Sequence, residues 1–228
     1  VHNAFNRATT IHGISNLLVE HCVTYNVKGL SFFIEDGVEE NNIVQYNLAV
    51  YTRQSSSLLN PDITPAAFWI VNPNNVIRHN TAAGGTHFGF WYRNLAHPDG
   101  PSETNSYSTN RVPLGEFRNN TAHSLGWYGI WIFSMAGYFP SNGTQVGGYC
   151  DYDNEIRAKF EDFTAWRCER GAEVVFGGNI QFDGFKVLDN EKSGLDFVEV
   201  KGPLGTGSDG PGANNSVVIG HSELTEDS

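Results

Sequence analysis

The densest acidic run in the chain is Glu35-Asp36-Gly37-Val38-Glu39-Glu40. Hydrolysis of a glycosidic bond needs two carboxylates flanking it, and Glu35 and Asp36 are the candidates for that work. In a repeating fold, a neighbouring turn can bring Asp62 or Asp99 beside them. The competing expectation is a solvated turn, the ordinary setting for a charge run. Pectin-cleaving enzymes carry adjacent aspartates and a Gly-His-Gly string; this chain has neither, which disfavours that class. His79 and His87 flank one turn and His123 follows near the same corner. Three imidazoles so placed could hold a transition metal, but hydrogen bonding to neighbours is the expected use. Asp151, Asp153 and Glu155 alternate like the start of a calcium loop, yet no glycine holds the sixth place and Arg157 intrudes. A loose surface calcium site is the most this segment supports, so no cofactor and no metal are assigned. Gly-x-Ser-x-Gly, His-Glu-x-x-His and phosphate-cradling glycine loops are missing.

Three sequons, at Asn119, Asn142 and Asn214, are candidate glycan acceptors if the chain is secreted. Of the three cysteines, Cys150 and Cys168 enclose a loop-like segment and are the candidate disulfide. Cys22 sits in an alternating apolar stretch and reads as a buried thiol. No Cys-x-x-Cys pair exists, which argues against structural zinc.

The elements that position these residues are short. The 228 residues are low in charge, at 17%, and contain 25 Gly and 23 Asn. Aromatics reach 13%, too many for a disordered chain. A net charge of −11 and a pI near 5.0 count against nucleic acid as a partner. No apolar run is long enough for a membrane span, so this segment does not insert. The chain opens at Val1 with neither an initiator Met nor a signal peptide, and reads as an excised piece of something longer.

An internal repeat organises the sequence. Its anchor column is Cys22, Asn47, Asn80, Asn120, Phe163, Phe185 and His221. A second, aromatic column reads Phe32-Phe-Ile34, Phe68-Trp-Ile70, Phe90-Trp-Tyr92, Ile130-Trp-Ile132, Val174-Val-Phe176 and Phe197-Val198. Gly29, Gly89, Gly129 and Gly194 precede four of these strands, where a corner calls for positive φ. The shortest anchor step, 22 residues from Phe163 to Phe185, suits one coil of a parallel β-helix. Longer steps are the same coil with a loop inserted, at 53–65, 94–113, 136–156 and in the Gly-rich 201–215 before a last coil. The expected fold is therefore all-β: one single-stranded, right-handed parallel β-helix domain over 1–228, of about seven coils. Stacked copies of Asn47, Asn80 and Asn120 can pass amide hydrogen bonds up the solenoid as a ladder. Alternation then points Asn119 outward and Asn120 inward, and some of Trp69, Trp91 and Trp131 onto the surface. An antiparallel sandwich would use hairpins at Asp36-Gly37 and Asn142-Gly143, but does not explain the columns.

Two strings resemble a known family. One is Phe32-Phe-Ile-Glu-Asp-Gly-Val-Glu-Glu-Asn-Asn42, followed by Asn47-Leu-Ala and Thr52; the other is Phe68-Trp-Ile-Val-Asn-Pro-Asn-Asn75, followed by Ala82-Ala-Gly and Gly89-Phe-Trp-Tyr92. They are similar to the β-helix region of fibrocystin-like receptors, related to the cell-surface hyaluronidase and hyaluronan-binding family. The resemblance covers residues 1–105 and extends more loosely to about 200. It implies a right-handed β-helix in a large extracellular or membrane-tethered glycoprotein, without accepted catalysis in the fibrocystin-like branch.

No amphipathic capping helix is evident at either end, so flanking parts of a longer protein cap the solenoid or copies stack end to end into a fibre. The first expectation for function is an extracellular, glycosylated, non-catalytic structural or interaction module. The alternative is a carbohydrate-binding or hyaluronan-degrading module, with Glu35 and Asp36 in the site.

Overall fold

The computed structural model describes residues 1–56, 64–133, 157–200 and 210–222. The chain winds through seven coils of three short strands each. The first coil holds β1 (Arg7–Ile11), β2 (Leu18–Glu20) and β3 (Val23–Lys28). The second holds β4 (Leu30–Ile34), β5 (Ile43–Gln45) and β6 (Leu48–Arg53), and the third β7 (Ala66–Ile70), β8 (Val76–Arg78) and β9 (Thr81–Gly85). Then come β10 (Phe88–Tyr92), β11 (Glu116–Arg118) and β12 (Thr121–Leu125), followed by β13 (Tyr128–Ile132), β14 (Ala158–Glu161) and β15 (Thr164–Trp166). The sixth coil is β16 (Arg170–Val175), β17 (Ile180–Asp183) and β18 (Lys186–Leu188); the seventh is β19 (Ser193–Val198), β20 (Gly212–Asn214) and β21 (Val217–Ile219). Every first strand pairs with the first strands above and below, and likewise the second and third, giving three parallel seven-stranded sheets. This is the expected parallel β-helix.

A turn between the second and third strands recurs in every coil. His21, Tyr46, His79, Asn119, Asp162, Gly184 and Asn215 occupy it, all with φ between 48° and 71°. A non-glycine residue in this left-handed region costs roughly 1–2 kcal/mol. The turn also lifts backbone groups out of the sheet ladders, and buried groups must find partners. Asparagine at the next position supplies them. Asn47 Oδ1 accepts the Cys22 N–H at 3.0 Å, Asn80 Oδ1 that of Asn47 at 3.0 Å, and Asn120 Oδ1 that of Asn80 at 2.9 Å. Their Nδ2 groups donate to the carbonyls of Val19, Val44 and Ile77. The ladder is thus present, with Asn120 buried and Asn119 exposed as alternation requires. A second ladder, missed in the sequence, runs at the preceding corner. There Asn42 accepts from the Leu17 N–H and Asn75 from the Asn42 N–H, both at 2.9 Å.

Inside, side chains of like kind stack at the strand spacing of about 4.8 Å. Phe32, Phe68 and Phe90 form a near-parallel pile with centroids 4.8 and 4.7 Å apart. Ala49, Ala82, Ala122 and Ala165 line the third sheet and leave room for it. Above Asn120 the ladder gives way to Phe163 and Phe185, packed 5.3 Å apart.

Several expected alignments shift. The last coil places Ser216, not His221, in the anchor column: its hydroxyl accepts the Phe185 N–H, and Lys186 pairs with Val217. In the aromatic column, Ala172-Glu173-Val174 stands where Val174-Val-Phe176 was expected, and Leu195 stands where Phe197 was. Both shifts are two residues, which preserves the facing of every side chain and so hides in the pattern. Of the four corner glycines only Gly29 has positive φ, at 97°. Gly89 and Gly129 lie in strands, where an added Cβ would sit 2.5 Å from a backbone oxygen of the next coil. Cys22 is exposed rather than buried, because β2 and β3 on either side of it are edge strands and no coil covers it among the described residues.

Asn80→Ala is expected to lower unfolding stability by about 3 kcal/mol, since it strips partners from the buried Asn47 N–H and Val44 carbonyl. Arg118→Gln on the exposed outer face should change it by less than about 0.5 kcal/mol. Chemical denaturation compares them; equal effects would mean the ladder carries no load.

Candidate functional site

The outer face of the first sheet is itself apolar. Phe33, Trp69 and Trp91 form a register column there, buried with Leu30, Phe88, Leu95 and Tyr128, and Trp131 packs half-buried against them. Trp69 and Trp91 are therefore not on the surface as alternation alone suggested. The insert after β10 contributes to their cover through Leu95, whose carbonyl accepts the Thr109 hydroxyl.

The same insert folds back on the acidic run. Asp99 N–H donates to the Asp36 carbonyl at 3.0 Å, and Ser102 N–H to the Asp36 carboxylate at 3.2 Å. Gly100 passes so close that a Cβ would lie 2.7 Å from Asp36 Oδ1. Asp99 is thus one of the two predicted neighbours of the run; Asp62 lies outside the described residues. The run is not a solvated turn. Asp36 and Glu39 are 2% and 0% exposed. The Glu39 carboxylate accepts backbone N–H groups from Gly13 and Gly37 at 2.8 Å and from Asp36 at 3.2 Å. Glu35 pairs with Arg7 Nη1 at 2.8 Å and lies 3.2 Å from His12 Nδ1. Periodicity hides this burial, because it comes from an insert of variable length rather than from the repeat.

Together Arg7, Phe33, Glu35, Asp36, Arg93 and Asp99 line an open cleft of about 190 Å³ by the carboxyl ends of β4 and β10, which Arg7 reaches from the first residue of β1. Arg7 lies over the Phe33 ring and Arg93 over that of Trp69. Burial holds the Asp99 carboxyl above its ordinary range; Arg93, 3.1 Å away, pulls against this and Asp36 adds to it. His12, Asp36 and Glu39 bring ligand atoms within 4.8 Å of one another, a donor set of one imidazole and two carboxylates. His12 was not singled out in the sequence. The register pairing of Ile11 with Ile34 places it beside Glu35.

The three histidines considered from sequence are not brought together. His79 stacks on Tyr46 and hydrogen bonds Asn119 Nδ2 at 2.7 Å. His87 packs on Trp127 and His123 on Trp166, and burial lowers the pKa of both. Cys168 is buried, and as a thiol it is pushed up to about 12 by desolvation. Its expected partner Cys150 lies outside the described residues, as do Asn142, Asp151, Asp153 and Glu155. Asn214 is half-buried. Among the described residues no helix is long and apolar enough to cross a membrane.

Comparison with known proteins follows the fold. Residues 1–130 match the family model described as CEMIP beta-helix. Fibrocystin-L of Mus musculus is 50% identical over 224 residues, 97% of this chain and 5% of that protein. The cell surface hyaluronidase of Danio rerio is 33% identical over 183 residues, 69% of this chain and 13% of its own length. The cell migration-inducing and hyaluronan-binding protein of Homo sapiens is 34% identical over 151 residues, 54% of this chain and 11% of its own. The chain therefore spans a small fraction of each of these relatives. With its three stacked parallel sheets and this match over more than half its length, the chain belongs to the CEMIP β-helix family.

Proposed function

We propose that this chain is an extracellular, glycosylated β-helix module that acts by binding rather than catalysis, with the cleft beside Asp36 receiving a saccharide. The observation that carries this reading is the engagement of the cleft's carboxylates. Glu39 is held by three backbone N–H groups, Asp36 by the Ser102 N–H, and Glu35 by Arg7. They lock a loop onto the solenoid instead of standing free on two sides of a bond. Phe33 offers an apolar wall, and Arg7 and Arg93 offer donors to sugar hydroxyls or a uronate. Relatives named for hyaluronan handling support a glycan as the ligand.

A second reading rests on Asp99. Burial raises its pKa, the direction a carboxyl needs to act as a general acid. Incubation with hyaluronan, with and without Ca²⁺, separates the two. The first reading predicts retention without shortening, weakened about tenfold in Arg7→Ala by loss of a charged hydrogen bond, with the melting temperature of the variant read alongside. Shortening that Asp99→Asn abolishes would establish the second reading and overturn the first; neither retention nor shortening would overturn both.

Placement outside the cell is part of the same reading. Of the two sequons among the described residues, Asn119 is exposed and Asn214 half-buried; Asn142, the third candidate, lies outside them. Peptide mapping of the secreted chain should find glycan at Asn119 and a Cys150–Cys168 bridge; bare Asn119 and two free thiols would contradict secretory passage. End-to-end stacking of copies through β1–β3 and β19–β21 completes the reading, since edge strands accept further strands. Sedimentation at rising concentration should show growing assemblies, and a monomer throughout would remove fibre formation.

A further inference from the structure

A second pocket lies where residues 3–5 lead into β1 and where β3 and β6 end. It has a volume of about 150 Å³ and is lined by Asn3, Ala4, Phe5, Asn26, Lys28 and Arg53. Its two cations are register partners on adjacent strands, Lys28 on β3 directly beside Arg53 on β6. Like charges so placed repel each other. Most other basic side chains on this solenoid relieve such strain with a carboxylate, as Arg7, Arg78, Arg93 and Arg118 do. Among the described residues Lys28 and Arg53 make no ion pair, and Arg53 Nε has no hydrogen-bond acceptor. Both heads are nonetheless held in place by rings. Lys28 Nζ stands 5.3 Å from the Phe5 centroid and the Arg53 guanidinium 5.5 Å from that of Tyr51. Asn26 Nδ2 donates to Asn3 Oδ1 at 2.7 Å and fixes the amide rim. Phe5 is 81% exposed at the mouth.

We infer that this pocket binds a tetrahedral oxyanion carried on a sugar, a sulfated saccharide. Two cationic heads side by side on adjacent strands can share the several oxygens of a tetrahedral group, whereas a planar carboxylate is satisfied by one guanidinium fork alone. The exposed ring beside the cations gives an apolar platform for the sugar face. In a chain of net charge −11 the long-range field repels anions, so affinity has to come from these local contacts.

Calorimetric titration with a sulfated disaccharide, inorganic sulfate and a hyaluronan tetrasaccharide tests this. The sulfated disaccharide should bind tightest, inorganic sulfate should compete with it, and the hyaluronan fragment should not displace it from this pocket. The double variant Lys28→Gln, Arg53→Gln should weaken disaccharide binding about tenfold or more. It should leave the melting temperature of the free chain unchanged or raised, because it removes a repulsion. Arg7→Ala should leave sulfate binding intact, which keeps this result separate from that of the acidic cleft. Binding that the double variant does not weaken would overturn the inference. Inorganic sulfate binding as tightly as the disaccharide would remove the sugar, and equal displacement by the hyaluronan fragment would remove the tetrahedral group.

Discussion

The structure depends on how a buried corner satisfies its backbone. Each coil turns between its second and third strands through one residue of left-handed conformation, and that turn breaks the hydrogen-bond ladder of the sheets. The amides of Asn47, Asn80 and Asn120 repair the break by accepting one backbone N–H and donating to one carbonyl. An amide suits the task because it is donor and acceptor at once and is short enough to stay at the corner. A serine hydroxyl takes over the acceptor role in the last coil, where Ser216 receives the Phe185 N–H; an apolar side chain offers neither donor nor acceptor, and each buried group left unpaired costs about 1–3 kcal/mol.

Once the corner is fixed, much else follows from register. Coils held at one spacing bring identical residues into columns, so Phe32, Phe68 and Phe90 stack inside and Trp69 and Trp91 touch outside. The outer tryptophans then need cover, and the insert after β10 helps to supply it. That insert needs an anchor of its own and finds it in the turn after β4, where Asp36 accepts its Ser102 N–H. The acidic cleft is thus a consequence of covering the outer face. The pocket beside Lys28 and Arg53 arises in the same way, from two cations that register places side by side.

The fold was largely legible because columns are a sequence property. Asn47, Asn80 and Asn120 announce a repeated corner, and Phe-Trp-Ile strings announce repeated strands. Errors entered where the signal is periodic in two. Residues 172–176 and 195–198 slid by one side-chain repeat without changing face, and His221 displaced Ser216 in the weakest copy. Burial of Asp36 and Glu39 was not legible, since it depends on where an insert lands, and loop sequence does not encode its own docking site. His12 escaped notice for a related reason. Its meaning comes from the residue beside it on the next coil, which becomes visible only once the pairing of Ile11 with Ile34 is known. Lys28 and Arg53 are likewise ordinary charges in the sequence and become a pair only through strand register.

Amide hydrogen exchange on the native chain tests the corner most directly. The backbone N–H groups of Cys22, Asn47 and Asn80 lie in turns, where exchange is ordinarily fast, yet each donates to a side-chain amide of the next coil. If these amides hold the coils together, the N–H groups of Asn47 and Asn80 should exchange as slowly as those of Ala49 and Ala82 in the neighbouring strands. Exchange at turn-like rates, with the strands still protected, would show that the sheets hold the register alone and that the asparagines only decorate it.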